Sequence, residues 1–293
     1  MVMDKELAKS QSLKERIKET LASFESGNQK QINQTDHDCA IMHSIQGSHA
    51  GYNVQSVVDD EHGLIVQAEA TVAVNDRNQF AGQIDQANAL MEKPCKTACA
   101  DAGYADTDEL EKIDKQGITV IVPSQRQATD KEEGPFSKSH FTYDKEQDCY
   151  VCPEGHPLIY QSTDKRKNQL HYQIKDKRIC LACPHYGQCT KAKNGRLIGR
   201  LHNEEVKLKL EAQYEEKSSQ IIYKRRKSRV EHPFGHIKRN LKTDAFLLRR
   251  YDGVQAETSL LATCFNMARM ITIFGVGNLI EKFKGLHPVM AGC

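Results

Sequence analysis

The sequence predicts a mixed α/β protein, and three observations carry that prediction. Two apolar, alternating segments, residues 52–59 and 63–72, meet across the polar turn Asp60-Glu-His-Gly63, and alternation with period two is the pattern of a half-buried strand. Between residues 75 and 123 the apolar spacing switches from helical to extended and back again. From Asn203 onward the spacing is helical to near the end of the chain.

The elements follow in order. Residues 4–30 are charged and polar, with apolar positions at Leu7, Leu13, Ile17, Leu21 and Phe24, which suits one amphipathic helix. A Gln- and Asn-rich linker follows, so residues 1–34 form an N-terminal helix and linker. The hairpin 52–72 opens a main body that spans residues 35–130. Residues 75–92 read as a helix and 97–100 as a short strand ending at Asp101. Asp106-Thr-Asp108 caps a further helix that runs to residue 116. Gly117-Ile-Thr-Val-Ile-Val-Pro123 is a strand stopped by proline. Residues 131–200 hold most of the cysteines and read as an inserted module, while residues 201–293 form a helical C-terminal part in which Leu260–Phe274 reads as a core helix.

With 293 residues and 39% hydrophobic composition the chain can bury a full core. No apolar run reaches membrane-spanning length and the N-terminus lacks the apolar core of a signal peptide, so a cytoplasmic location is expected. The net charge of +2 hides a strong asymmetry. Residues 191–250 hold 17 Lys or Arg against 7 Asp or Glu, a net of +10, whereas residues 1–190 carry about −8. A localised basic surface of this kind suits a polyanion.

Cys149-x2-Cys152 is followed after 27 residues by Cys180-x2-Cys183, and Cys189 lies just beyond. Two such pairs resemble a zinc ribbon, because each tight turn presents two thiolates to a tetrahedral ion. Five cysteines compete for four places. Cys149, Cys152, Cys180 and Cys183 form one set, and Cys152, Cys180, Cys183 and Cys189 the other. Four thiolates leave no open coordination position, so the role of such a zinc is structural and the chemistry lies elsewhere. Cys39, Cys95, Cys99, Cys264 and Cys293 read as packing residues.

The densest cationic segment is Tyr223-Lys-Arg-Arg-Lys-Ser-Arg-Val-Glu231, in which five of the seven residues from Tyr223 to Arg229 are Lys or Arg. Glu231 is the one carboxylate inside this run. Asp59 and Asp101 each end an apolar strand. Three acids so placed can converge and hold two divalent ions about 4 Å apart, an arrangement that activates a nucleophile and stabilises the leaving oxygen in phosphoryl transfer. Asp60 is a rival to Asp59 and points to the opposite side of the strand. Asp36, Asp38 and Asp76 read as turn or cap residues.

The pieces Thr35-Asp-His-Asp-Cys-Ala, Gly51-Tyr-Asn-Val-Gln-Ser-Val-Val-Asp59, Ala100-Asp-Ala-Gly-Tyr104, the cysteine-rich insertion and Val230-Glu-His-Pro-Phe-Gly together resemble the DDE transposases of bacterial insertion sequences. The resemblance runs through most of the chain. It implies an RNase H-like catalytic core, a mixed sheet flanked by helices, with the zinc-ribbon-like module inserted. It also implies a catalytic triad of Asp59, Asp101 and Glu231 binding Mg²⁺ or Mn²⁺, used for cleavage at insertion-sequence ends and strand transfer into target DNA. Tyr223, Arg226 and Lys238 look like the family's Tyr, Arg and Lys around the catalytic Glu, and Lys224, Arg225, Lys227 and Arg229 join them as expected DNA-binding residues.

Two departures from the family pattern stand out. Four residues separate Arg226 from Glu231 where the related signature has three, so Lys227 is an alternative for the Arg place. Only 34 residues precede Thr35-Asp-His-Asp, too few for the family's separate DNA-binding region, which implies N-terminal truncation. Pro233 should kink the basic helix. The expected partners are transposon-end and target DNA, with a homodimer implied by the resemblance. Two other readings compete with an active transposase: a zinc-stabilised DNA-binding remnant without catalysis, and a metal-dependent nuclease without strand transfer.

Overall fold

The computed structural model describes residues 10–15, 17–18, 20–22, 33–44, 47–91, 93–129 and 133–285. The described residues from 10 to 22 are helical, and Leu13, Ile17 and Leu21 are all exposed there. The remainder of the expected N-terminal helix, and Cys293, lie outside the described residues.

The alternation of residues 52–72 folds as an antiparallel pair. A small hairpin, β1 (Ala40–Ser44) with β2 (Gly47–Gly51), comes first, then β3 (Asn53–Val58) pairs with β4 (Ile65–Thr71) from Asn53↔Thr71 to Val58↔Ile65. The next helix, α1 (Phe80–Leu90), begins later than its apolar spacing suggests. The residues before it are held by tertiary contacts, for the Asp76 carboxylate accepts from Asn53 Nδ2 at 2.8 Å and from Gln55 Nε2 at 2.7 Å.

Strand β5 (Thr97–Cys99), helix α2 (Thr107–Asp114) and strand β6 (Thr119–Ile121) form a parallel β–α–β unit. Asp106 caps α2 as the sequence predicts, accepting from the backbone N–H of Asp108 and Glu109. The mixed α/β class is as expected, yet among the described residues β3–β4 and β5–β6 are two separate ladders with no hydrogen bond between them. They are joined instead by an apolar core in which Phe80, Ile84, Ala98, Ile113, Val120 and Leu210 are buried and against which Val57 packs.

The cysteine-rich insertion contributes a five-stranded antiparallel sheet, ordered β11-β10-β9-β8-β7, from β7 (Thr142–Asp144), β8 (Cys149–Val151), β9 (Pro157–Asp164), β10 (Gln169–Ile174) and β11 (Leu197–Leu201). It has its own core of Phe141, Tyr150, Leu158, Tyr172 and Ile198. Helices α3 (Glu204–Glu215), α4 (Lys217–Arg239), α5 (Tyr251–Phe274) and α6 (Val276–Lys284) complete the chain. Helix α4 is continuous through Pro233, which is buried inside it. The ring removes one backbone donor, but the helix does not end there.

The sequence reading of Leu260–Phe274 as a core helix needs correction. Phe265 is 1% exposed, but Leu260 and Ile271 are 62% and 41% exposed, so only one face of α5 is buried. That face is fixed to β4 by side-chain amides. Asn266 accepts from Ile65 N and donates to Ile65 O, both at 2.8 Å, while Gln255 accepts from Ala70 N at 2.8 Å and donates to Ala68 O at 3.2 Å. These amides do for β4 what a further strand would do, since its backbone groups need partners once covered by a helix.

Among the described residues no single helix is long and apolar enough to cross a membrane, and α5 and α6, which are so only when taken together, meet at a bend of 110°. Replacing Asn266 with Ala should lower unfolding stability by about 1–3 kcal/mol, because it strands one donor and one acceptor of Ile65. Urea denaturation measures this, and an unchanged midpoint would show that the amide bridge is dispensable.

Candidate nucleic-acid interface

Helix α4 is where the basic run lies, and its inward face meets the ends of both short sheets. Adjacent residues on a helix point about 100° apart, so Arg225 and Arg226 can reach different neighbours. Arg225 pairs with Asp60, just past the end of β3. Arg226 Nη1 lies 3.8 Å from Asp101 Oδ2, just past the end of β5. Gly63 closes the β3–β4 turn at φ +71°, and the Arg229 guanidinium packs against it, 3.8 Å from where a Cβ would stand.

Arg226 is the more enclosed of the pair. Its side chain is 16% exposed against 49% for Asp101, and its guanidinium stands 5.3 Å from the centre of the Tyr223 ring. Tyr223 packs edge-on against Tyr214 at 5.1 Å. A cation over an aromatic face gains electrostatic stabilisation beyond its ion pair. Arg226 Nε is buried without a hydrogen-bond partner among the described residues. The opposite face of α4 is open: Lys224, Lys227, Glu231 and Lys238 are exposed. Of the two candidates for the Arg place, Arg226 therefore points inward and Lys227 outward.

Each sequence-predicted acid has a definite environment. Asp59 holds the hairpin turn: its Oδ2 accepts from His62 N at 2.7 Å and its Oδ1 from Leu64 N at 2.5 Å. Asp101 starts a 3₁₀ turn, accepting from Gly103 N at 2.9 Å. The Glu231 carboxylate makes no hydrogen bond or ion pair among the described residues. Asp36 and Asp38 act as caps, as expected: Asp36 accepts from Arg250 N and Asp38 from Tyr251 N, both at 3.1 Å, so two carboxylates meet the positive end of α5. The Tyr52 hydroxyl donates to Asp36 at 3.0 Å, and its pKa rises through burial and this hydrogen bond.

Sequence reasoning missed the network beside Asp101. The Tyr104 hydroxyl donates to Gln55 Oε1, and Gln55, only 2% exposed, donates in turn to Asp76. Gly103 lies between the two carboxylates, since a Cβ there would stand 2.9 Å from Asp101 Oδ1 and 3.4 Å from Asp76 Oδ2. Burial, then Asp76 and Asp101, raises the Tyr104 pKa. A buried-polar position such as Gln55 inside an apolar strand was the available signal. Cys99, at the end of β5, has its thiol pushed up to about 11, by burial first, with Arg226 pulling down and Asp60 and Asp101 pushing up.

In the inserted module the cysteines divide. Cys152, Cys180, Cys183 and Cys189 line one cavity of about 40 Å³ together with His156 and His185. Burial raises the Cys189 pKa, Arg196 lowers it, and Cys180, Cys152 and Cys183 raise it further. Cys149 is buried on β8, where its titration feels Asp144 and Asp148. Of the two sets, the one with Cys189 lines this cavity in full, and Cys149 is not among its lining residues. Even so, no group of three or more His, Cys, Asp or Glu side chains among the described residues stands ready to hold a metal ion, in this cavity or at the acids around α4.

Residues 151–271 match the family model described as a transposase DDE domain. This bears out the resemblance to DDE-type transposases, a family that acts on DNA. The match covers β9 to β11, α3, α4 with Glu231 and most of α5, and leaves β7, most of β8, Asp59 and Asp101 outside it. No curated protein and no solved structure matches the chain.

The burial of Cys99 has a direct chemical readout. At pH 8 a thiol with a pKa near 11 is almost wholly protonated and unreactive. Iodoacetamide should modify Cys99 more than tenfold more slowly than the exposed Cys264, with peptide mapping as the measurement. Equal rates would contradict the packing of β5 under α4.

Proposed function

We propose that this chain is the catalytic region of a DDE transposase that cleaves DNA at insertion-sequence ends and joins it to target DNA. On this reading residues 35–130 and 201–293 together make an RNase H-like core around the inserted module at 131–200. The observation that carries it is the match of the basic helix and its Glu231 to a transposase DDE domain. The salt bridges from consecutive arginines of that helix to Asp60 and Asp101, at the ends of two different sheets, support it.

Asp59, Asp101 and Glu231 are the residues proposed to hold Mg²⁺ or Mn²⁺. Carboxylate oxygens are the donors such hard cations take, and bound ions would activate the attacking oxygen and stabilise the leaving one. The arrangement is not a preformed cage, because Asp59 is engaged in its turn and Arg226 sits against Asp101. What the chain's own residues supply is phosphate recognition: Lys224, Lys227 and Lys238 from the open face of α4, with Tyr223, Arg225, Arg226 and Arg229 on or near the inner face. Contacts of this kind make affinity fall steeply with salt.

The second reading, a DNA-binding remnant without catalysis, is favoured by the same lack of a gathered acid site among the described residues. DNA carrying the ends that flank the gene, incubated with Mg²⁺ or Mn²⁺, separates the two. A transposase gives cleavage and joined products with the wild-type chain, and Glu231→Gln loses both by at least a hundredfold while still binding DNA. Cleavage without joining identifies a nuclease, and binding without cleavage by either chain identifies the remnant.

We also propose a structural zinc on Cys152, Cys180, Cys183 and Cys189, soft thiolates that share one cavity. Elemental analysis should then find about one zinc per chain, retained in Cys149→Ser and lost in Cys183→Ser. Equal zinc content in both variants, or none in the wild-type chain, would remove the proposal.

A further inference from the structure

The cysteine-rich module is itself a basic surface. Residues 151–203 carry ten Lys or Arg against three Asp or Glu, a net of +7, in a segment whose sheet and cavity use few of those cations. All three acids are already engaged. Glu154 pairs with His185 at 3.1 Å, Asp176 pairs with Arg178 at 2.9 Å, and Asp164 accepts from the backbone N–H of Arg166 and Lys167 at 3.0 and 3.2 Å. Besides Arg178, two more of the ten cations have internal roles: Arg196 donates to the carbonyls of Cys189 and Phe136, and Arg200 stacks 3.8 Å from the centre of the Tyr143 ring.

Three of the rest are consecutive. Lys165, Arg166 and Lys167 form the tip of the β9–β10 hairpin, all exposed and none in an ion pair among the described residues. The tip is shaped locally, by the Asp164 turn and by Asn168 in a left-handed conformation at φ +50°. Three like charges on a turn repel one another, and the one adjacent acid, Asp164, is turned to the backbone N–H groups of Arg166 and Lys167 rather than to their side chains. An isolated surface lysine is ordinary, but a triplet in no ion pair among the described residues, in a segment of net +7 within a module of net +5 over residues 131–200, calls for an external polyanion.

We propose that the β9–β10 hairpin is a second DNA contact, in which Lys165, Arg166 and Lys167 bind the phosphate backbone independently of the α4 face. The proposal rests on the DNA-acting function above and adds a separate surface to it.

The test is binding of the full chain to a labelled random-sequence duplex across about 50 to 200 mM salt, where the slope of log affinity against log salt reports phosphate contacts at roughly 0.9 each. The combined variant Lys165→Ala, Arg166→Ala, Lys167→Ala should reduce that slope by about 2 to 3 and weaken binding at least tenfold at the low-salt end. The charge-preserving combination Lys165→Arg, Arg166→Lys, Lys167→Arg should bind within twofold of wild type. Folding is not at stake, because these side chains bury nothing and the turn uses their backbone; circular dichroism checks it. Wild-type binding with an unchanged slope in the alanine variant overturns the hairpin contact alone. No binding by the wild-type chain overturns the hairpin contact and the proposed function together. A variant that loses affinity for vesicles rich in anionic lipid, while binding DNA as wild type does, reassigns the hairpin to a membrane surface and also overturns the proposal.

Discussion

Everything around the candidate site depends on helix α4 holding two small sheets in register through adjacent arginines. The β3–β4 and β5–β6 ladders share no hydrogen bonds, so nothing in the strand pairing fixes the end of one relative to the end of the other. Arg225 takes Asp60 and Arg226 takes Asp101. Exposed ion pairs contribute little stability, and the apolar core of α1, α2, β5 and β6 carries most of the packing. What the arginines add is position: they set where two strand-end carboxylates stand relative to a helix full of cations.

The same arrangement explains the charge asymmetry of the chain. The acidic N-terminal part does not simply repel a nucleic acid. Several of its carboxylates are consumed internally, by the hairpin turn at Asp59, by the start of α5 at Asp36 and Asp38, and by the side-chain amides of Asn53 and Gln55 at Asp76. The cations of the C-terminal part are divided between an inner face that meets Asp60 and Asp101 and an outer face that meets solvent. A phosphate arriving at α4 would therefore compete with two aspartates for two arginines.

Local signals in the sequence were enough for the elements whose cause is local. The alternation of residues 52–72 gave a hairpin and Asp106 gave a cap, whereas the helix start that Asp36 and Asp38 cap lies more than 200 residues away and had no local signal. The late start of α1 was hidden because Asp76 is held by side chains from β3, more than twenty residues away. Spacing alone left Cys149 and Cys189 equal; in the fold Cys189 lines the cavity with Cys152, Cys180 and Cys183, while Cys149 is buried on β8. Apolar composition suggested a core helix over residues 260–274, but composition does not say which face a helix buries: Asn266 meets β4 and Phe265 packs against His232 and His236 of α4, while Leu260 and Ile271 are exposed. Geometry separates Asp59 from Asp60 in a way spacing cannot: Asp59 accepts from the backbone of its own turn, and Asp60 pairs with Arg225 of the basic helix.

If α4 is a phosphate-binding helix whose inner arginines are held by strand-end acids, then removing the acids should release the arginines to DNA. The direct measurement is the affinity of the Asp60→Asn, Asp101→Asn double variant for duplex DNA at low salt in the presence of a metal chelator, beside the wild-type chain. The account predicts tighter binding, by several-fold, with a steeper salt dependence as two further cations engage phosphate. Weaker or unchanged binding by a folded variant would contradict it, and would mean that Arg225 and Arg226 serve the fold alone.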